Sequence, residues 1–277
     1  MTQKSITIKD KQFGYSVHGK GDPVVLLHGF AEDGDVWKYQ LEDLAAGYFV
    51  IVPDLPGSGR SDMADDMSIE GMALCVKKII EHELPANASL AEVGITMIGH
   101  SMGGYITLAF ANKYPGLLAG FGLFHSTAFA DTEEKKATRR RGIAFIQTHG
   151  SYEFIRQSTP NLFTEEFRIK NDIEVEKMMA QYGHFNPAAL VAYYEAMIQR
   201  PNLTSVLQSF KKPILFIIGK QDKAIPFEDS MKQCHLPQMA SVQILEKAAH
   251  MGMWEEKEKS SRALLSFLQY IQQFNRH

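Results

Sequence analysis

A serine hydroxyl attacks a carbonyl only when a base removes its proton, an acid orients that base, and donors hold the developing oxyanion. The segment Gly99-His100-Ser101-Met102-Gly103 offers a serine in a setting suited to that work. The β-rich run Ile95–Ile98 leads into it, and a helical pattern follows at once. A serine on so sharp a strand-to-helix turn brings neighbouring backbones close together, and glycine two residues before and after avoids the clash. The turn lifts the hydroxyl out of the sheet, while the helix N-terminus beneath it supplies N–H groups and the positive end of a dipole. Taken alone, Gly-x-Ser-x-Gly equally suits a glycine-rich turn. Its place between a strand and a helix is what points to chemistry.

The base and acid must then come from other strand ends, where open α/β sheets gather their reactive groups. His250 lies in Ala248-Ala249-His250-Met251-Gly252, just past the last β-rich run, and Asp222 lies in Gly219-Lys220-Gln221-Asp222, just past Ile214–Ile218. The chain order Ser101, Asp222, His250 suits this type of sheet. Asp131 is a competing acid. However, Asp131-Thr132-Glu133-Glu134 has capping-box spacing, with Asp131 as N-cap, which is a sufficient structural role and favours Asp222 as the acid. For the oxyanion, the backbone N–H of Met102 follows the serine directly, and the N–H of Phe30, in His28-Gly29-Phe30 after the run Val24–Leu27, is the expected second donor. His28 and His100 read as hydrogen-bonded structural histidines beside tight turns. The remaining histidines, His125 among them, stand in no motif and receive no role.

Eight short apolar runs alternate with helical stretches: Ile6–Ile8, Phe13–Val17, Val24–Leu27, Tyr48–Val52, Ile95–Ile98, Phe121–Phe124, Ile214–Ile218 and Val242–Leu245. Continuous apolar runs indicate a sheet covered on both faces, so the expected fold class is α/β, with a doubly wound, mostly parallel eight-stranded sheet. The rhythm breaks between about 126 and 208, where helical patterns dominate. The expected organisation is therefore a core over 1–125 and 209–277, with 126–208 as a helical insertion. Asn186-Pro187 reads as a helix start, followed by the stripe Leu190, Val191, Tyr194, Met197 and Ile198. Arg139-Arg140-Arg141 could bind a carboxylate or phosphate, but a solvated helix face is the favoured reading. Phe129, Phe145, Phe163, Met178, Met179, Tyr182, Phe185, Tyr194 and Met197 could line an apolar acyl pocket, but the insertion's own core and its seam with the sheet is the favoured reading.

Together, His28-Gly29-Phe30, Asp54-Leu55-Pro56-Gly57-Ser58-Gly59-Arg60-Ser61, Gly99–Gly103, Gly219–Asp222 and Ala249-His250-Met251 resemble an α/β-hydrolase-fold protein with a helical cap, over about Val24 to Trp254. The resemblance implies Ser101 as nucleophile, Asp222 as acid, His250 as base, and Phe30 and Met102 as oxyanion donors. It also implies that the cap largely selects the substrate. Pro53–Ser61 resembles a family loop that braces the site, although a Pro/Gly turn after a strand suffices for that stretch. Ser101 stands where dehalogenase and epoxide-hydrolase relatives carry Asp, and Ala31 where epoxide hydrolases usually carry Pro. Both departures argue against those activities.

The remaining composition sets limits. Lys and Arg total 29 against 32 Asp and Glu, a formal charge of −3, which excludes broad attraction to nucleic acid or an anionic membrane. Two cysteines, Cys75 and Cys234, far apart in sequence, cannot make a disulfide framework or a thiolate metal cluster, and a reducing compartment is the simplest setting. The first residues lack the apolar stretch of a signal peptide, and no apolar run approaches a membrane span. The expectation is a cytoplasmic, cofactor-independent and metal-independent serine hydrolase acting on a small ester or related acyl compound. Two rivals stand beside it: carbon–carbon bond hydrolysis or a lyase step on the same residues, and a small-molecule receptor with vestigial turnover.

Overall fold

The apolar runs all form strands, and their hydrogen bonds join them into one sheet. A computed structural model describes residues 1–84 and 94–275. The strands are β1 (Thr2–Ile8), β2 (Lys11–His18), β3 (Asp22–Leu27), β4 (Tyr48–Pro53), β5 (Ile95–His100), β6 (Leu118–Phe124), β7 (Ile214–Gly219) and β8 (Ala240–Leu245). Their spatial order is β1-β2-β4-β3-β5-β6-β7-β8. The β1–β2 and β2–β4 pairs are antiparallel and the others parallel. The described helices are α1 (Lys38–Ala45), α2 (Ile69–Glu83), α3 (Met102–Lys113), α4 (Glu133–Ser158), α5 (Glu165–Lys170), α6 (Asp172–Tyr182), α7 (Pro187–Gln199), α8 (Thr204–Ser209), α9 (Phe227–Cys234), α10 (Gly252–Glu255) and α11 (Lys257–Phe274).

Successive strand residues face opposite sides, so an unbroken apolar strand feeds two cores at once. On β3, Val25 and Leu27 join Val76 and Ile79 of α2 and Ile106 and Phe110 of α3. Val24 and Leu26 join Leu44 of α1 and Leu264, Phe267 and Ile271 of α11 on the other face. The edges need no double cover. The first four residues of β1, Thr2-Gln3-Lys4-Ser5, and the first three of β8 are exposed, which is why their apolar runs read short in the sequence. None of the described helices is long and apolar enough to cross a membrane.

Between β6 and β7 the described chain is helical, with no strand. The start of α7 is as the sequence implies: Asn186 Oδ1 accepts from Ala188 N at 2.9 Å, with Pro187 in the first helical position. Its buried face differs slightly, because Tyr193 is turned inward and its hydroxyl donates to Pro56 O at 2.7 Å. The start of α4 corrects the sequence reading. Thr132, not Asp131, is the N-cap, its Oγ accepting from Lys135 N at 3.2 Å. Asp131 is buried, and its carboxylate takes Arg139 Nε at 2.5 Å and Arg200 Nη1 at 2.9 Å. Arg139-Arg140-Arg141 is likewise only partly a solvated face. Arg140 and Arg141 are exposed, but the Arg139 side chain is 13% exposed and points inward.

These two adjacent residues should separate in a denaturation experiment. Thr132→Ala removes one cap and should cost about 1 kcal/mol. Asp131→Ala leaves two buried guanidinium groups without their carboxylate and should cost about 3–5 kcal/mol. Equal, small losses at both positions would contradict the ion-pair arrangement.

Candidate active site

Ser101 is the hinge between β5 and α3, and its backbone is in the left-handed region at φ +50, ψ −113. A side chain at Gly99 would run into the backbone of Gly103, and one at Gly103 would lie 2.6 Å from the carbonyl oxygens of Leu27 and His28. The glycines of the motif are therefore required by close approach, as the sequence argument supposed. The strained residue is pinned on both sides: Ser101 N donates to Phe124 O at 3.0 Å, and Ser126 Oγ donates to Ser101 O at 2.7 Å.

The three residues singled out by motif and order lie together. Ser101 Oγ is 2.9 Å from His250 Nε2, and His250 Nδ1 is 2.8 Å from Asp222 Oδ2. Asp222 Oδ1 accepts from the backbone N–H groups of Ala224 and Ile225 at 2.8 and 2.9 Å. Burial alone would raise the Asp222 pKa, but His250, followed by His125, holds the carboxyl far below the usual carboxylate range. The N–H groups of Phe30 and Met102 have no acceptor among the described residues, which leaves both available to a ligand oxygen. Ala31, beside Phe30, has φ +58, a value the proline ring of epoxide-hydrolase relatives could not adopt.

The flanking histidines hold loops in place. His28 Nε2 accepts from Leu55 N at 2.9 Å and lies 2.7 Å from Ser58 Oγ, which ties the Pro53–Ser61 loop to the Gly29 turn. His100 Nδ1 is 3.0 Å from Glu32 Oε2, and its Nε2 is 3.0 Å from the carbonyl oxygen of His250. Glu32 also accepts from Gly29 N at 2.6 Å. Burial would lower the His100 pKa, but the Glu32 carboxylate outweighs it and raises it, favouring a ring that donates at both ends. One buried pair thus clamps the loop bearing Phe30 to the loop bearing His250.

Sequence reasoning missed His125. This fully buried residue, with φ +48, places Nδ1 at 3.3 Å from Asp222 Oδ2, so two histidines share one carboxylate. The N–H of Gly219 points at its Nδ1 at 3.0 Å and that of Gly252 at its Nε2 at 3.2 Å. Burial lowers its pKa to about 4, outweighing the Asp222 carboxylate, which pulls the other way, while His250 and His100 add to the lowering. The signal was available: His125 directly follows a strand end, as Asp222 and His250 nearly do.

Ser101 and His250 open into a cavity of about 600 Å³ between the sheet and the helices that follow β6. Of the aromatic and methionine side chains considered from the sequence, Met178, Tyr182, Tyr194 and Met197 line it. Phe129, Phe145, Phe163, Met179 and Phe185 do not. Phe154 was overlooked and does line it. The Phe30 ring stacks on Tyr194 at 4.3 Å and meets Phe154 edge-on at 6.0 Å, packing core against helical segment at the cavity wall. Tyr182 adds a polar tie, its hydroxyl donating to Asp33 Oδ1 at 2.9 Å.

Comparison with known proteins gives a consistent result. The family model for the alpha/beta hydrolase fold matches residues 22–257. A solved structure of a thermophilic esterase from Thermogutta terrifontis, malate bound, is similar with a TM-score of 0.87 and 28% identity, covering 98% of this chain and 99% of that one. Monoacylglycerol lipase ABHD6 of Bos taurus is 24% identical over 97% of this chain and 82% of its own length. The 2-hydroxy-6-oxo-6-phenylhexa-2,4-dienoate hydrolase of Comamonas testosteroni is 24% identical over 96% of each. With the sheet order, the strand-to-helix serine turn and a family match across most of its length, the chain belongs to the α/β-hydrolase family and is an enzyme of that family.

Proposed function

We propose that the protein is a cofactor-independent serine hydrolase that cleaves a small ester or related acyl compound through an acyl-enzyme. The observation that carries this reading is the continuous run of bonds from Ser101 Oγ to His250 Nε2 at 2.9 Å and from His250 Nδ1 to Asp222 Oδ2 at 2.8 Å, opening on the cavity. His250 Nε2 takes the Ser101 proton as Oγ attacks the carbonyl carbon. The oxyanion accepts hydrogen bonds from the Phe30 and Met102 N–H groups, each worth about 3–4 kcal/mol of barrier. Asp222 stabilises the imidazolium and fixes its tautomer. As the tetrahedral species collapses, the leaving group takes the proton from His250. A water molecule that gives its proton to His250 then attacks the acyl carbon, and the second collapse returns the proton to Ser101 Oγ and frees the acid. Because both oxyanion donors are main-chain groups, side-chain replacement at Phe30 or Met102 does not delete them.

Carbon–carbon hydrolysis on the same residues has one observation in its favour, the resemblance to the Comamonas testosteroni hydrolase. Intact-mass detection of an acylated Ser101 during ester turnover separates the two readings in favour of ester hydrolysis. Cleavage of a carbonyl-activated carbon–carbon bond without ester turnover would favour the second.

With p-nitrophenyl butyrate as substrate, Ser101→Ala should lose about three orders of magnitude or more in kcat, and undiminished turnover would sink the assignment. Asp222→Asn should lose orders of magnitude more than Asp131→Asn, which settles the acid; the reverse ranking would transfer the role. The His125 pKa generates a prediction for stability. Its folded pKa of about 4 lies below the ordinary histidine value of 6.5, so the unfolded chain takes up the proton first as pH falls. Stability from this residue is therefore complete above pH 6.5 and is lost between there and 4, amounting to about 2 kcal/mol by about pH 5. Asparagine tolerates a left-handed backbone, so His125→Asn should fold and should lose that much less stability than wild type between about pH 7.5 and 5 in urea titrations. An identical acid limb would contradict it.

A further inference from the structure

The cavity at Ser101 is mostly apolar, yet one wall carries positive charge that is only partly balanced among the described residues. Arg139 and Lys135, one turn apart on α4, both line the cavity. Asp131 is shared by Arg139 and Arg200, and among the described residues neither guanidinium has a second carboxylate partner. Arg200 is engaged at both terminal nitrogens: Nη1 donates to Met197 O, Nη2 to Phe129 O, and its guanidinium lies 3.8 Å from the Tyr105 ring centroid. Arg139 is not. It holds Asp131 through Nε at 2.5 Å and, more loosely, through Nη2 at 3.4 Å, while Nη1 has no acceptor among the described residues. Lys135 Nζ donates to the carbonyl oxygen of Ala224 at 2.8 Å and has no carboxylate partner among the described residues.

The acidic groups around the cavity do not cancel this charge. Glu32 is engaged by His100 and Gly29, Asp229 by Lys232 at 2.8 Å, and Glu134 is exposed to solvent. Tyr105, which also lines the cavity, registers the resulting field. Burial would raise its pKa, but Arg200, then Lys135 and Arg139, bring the phenol below its ordinary value. A desolvated guanidinium with free donors is costly unless an anion completes it, and its planar fork matches a carboxylate.

We propose that Arg139, assisted by Lys135, forms an anion subsite in the cavity, and that the substrate is an ester or acyl compound bearing a free carboxylate remote from the scissile carbonyl. This deepens the serine-hydrolase reading and rests on it. The carboxylate binds the free edge of the Arg139 guanidinium, with Lys135 as a second charge. Asp131 and Arg200 hold that guanidinium in place, and the apolar wall formed by Phe30, Phe154, Tyr194 and Met197 takes the hydrocarbon between the two ends.

The test compares p-nitrophenyl butyrate with two acidic esters, mono-p-nitrophenyl glutarate and 4-carboxyphenyl butyrate, which put the carboxylate on the acyl and leaving sides respectively. For at least one acidic ester, wild type should show kcat/KM about ten-fold or more above the neutral ester, relative to their spontaneous hydrolysis rates. Arg139→Gln, which leaves Asp131 paired with Arg200, should reduce that preference about ten-fold, and Arg139→Lys should restore part of it. An unaltered preference in Arg139→Gln, or no preference in wild type, overturns the subsite. A second readout needs no turnover: glutarate, at matched ionic strength, should raise the Tm of Ser101→Ala and not that of Ser101→Ala/Arg139→Gln. Equal shifts in both proteins also overturn the subsite. If no ester is cleaved yet glutarate stabilises only the protein with Arg139, the hydrolase reading fails and the anion subsite stands.

Discussion

Ser101 sits in a backbone conformation that L-residues avoid, and the surrounding core is built to keep it there. Its φ of +50 is tolerated because β5 is buried on both faces and α3 begins immediately after it. At Gly99 and Gly103 the absence of a side chain lets the backbones of the turn approach, and the Phe124 carbonyl and Ser126 hydroxyl fix the peptide on either side of the serine. If the turn relaxed, the hydroxyl would leave His250 and the Met102 N–H would leave its position at the start of α3. The strain and the reactive geometry therefore have a single origin, the parallel centre of the sheet.

Around that turn, four buried histidines do different work because their neighbours differ. His250 bridges Ser101 and Asp222. His125 lies against the same carboxylate, but burial lowers its pKa to about 4, so it sits beside Asp222 as a neutral ring. His100 is paired with Glu32 and spans two loops, and His28 accepts from the Leu55 amide. Residue type alone does not separate these roles. The sign and position of the nearest charge or donor does.

The helices after β6 supply what the sheet lacks, a lid of aromatic and methionine side chains and a charged wall. They are held to the core by a few long-range ties: the Phe30–Tyr194 stack, the Tyr182 hydroxyl on Asp33, the Tyr193 hydroxyl on Pro56 O, and His250 N on Leu162 O at 2.9 Å. The last of these joins the helical segment to the loop of the proposed base, so the position of that segment and the geometry at Ser101 are not independent.

What could be read from the chain was local. Apolar runs of five or so residues announced the strands, Asn186-Pro187 announced α7, and a serine flanked by glycines between strand and helix announced the turn, because each is enforced by sterics among near neighbours. The order of Ser101, Asp222 and His250 was legible for the same reason, since each sits at the end of its own strand. Asp131 has the spacing of a cap, and nothing nearby reveals that Arg200, far along the chain, claims its carboxylate and leaves the capping to Thr132. Arg139 looks like one third of a solvated basic run until α4 is laid against the sheet and one helical face turns it inward. His125 carried the right positional signal but no motif, and only the closure of β6 beside β7 brings it to Asp222. Burial and pairing of charge are long-range properties, set by which surfaces meet, and there the folded chain rather than the order of its residues has the final word.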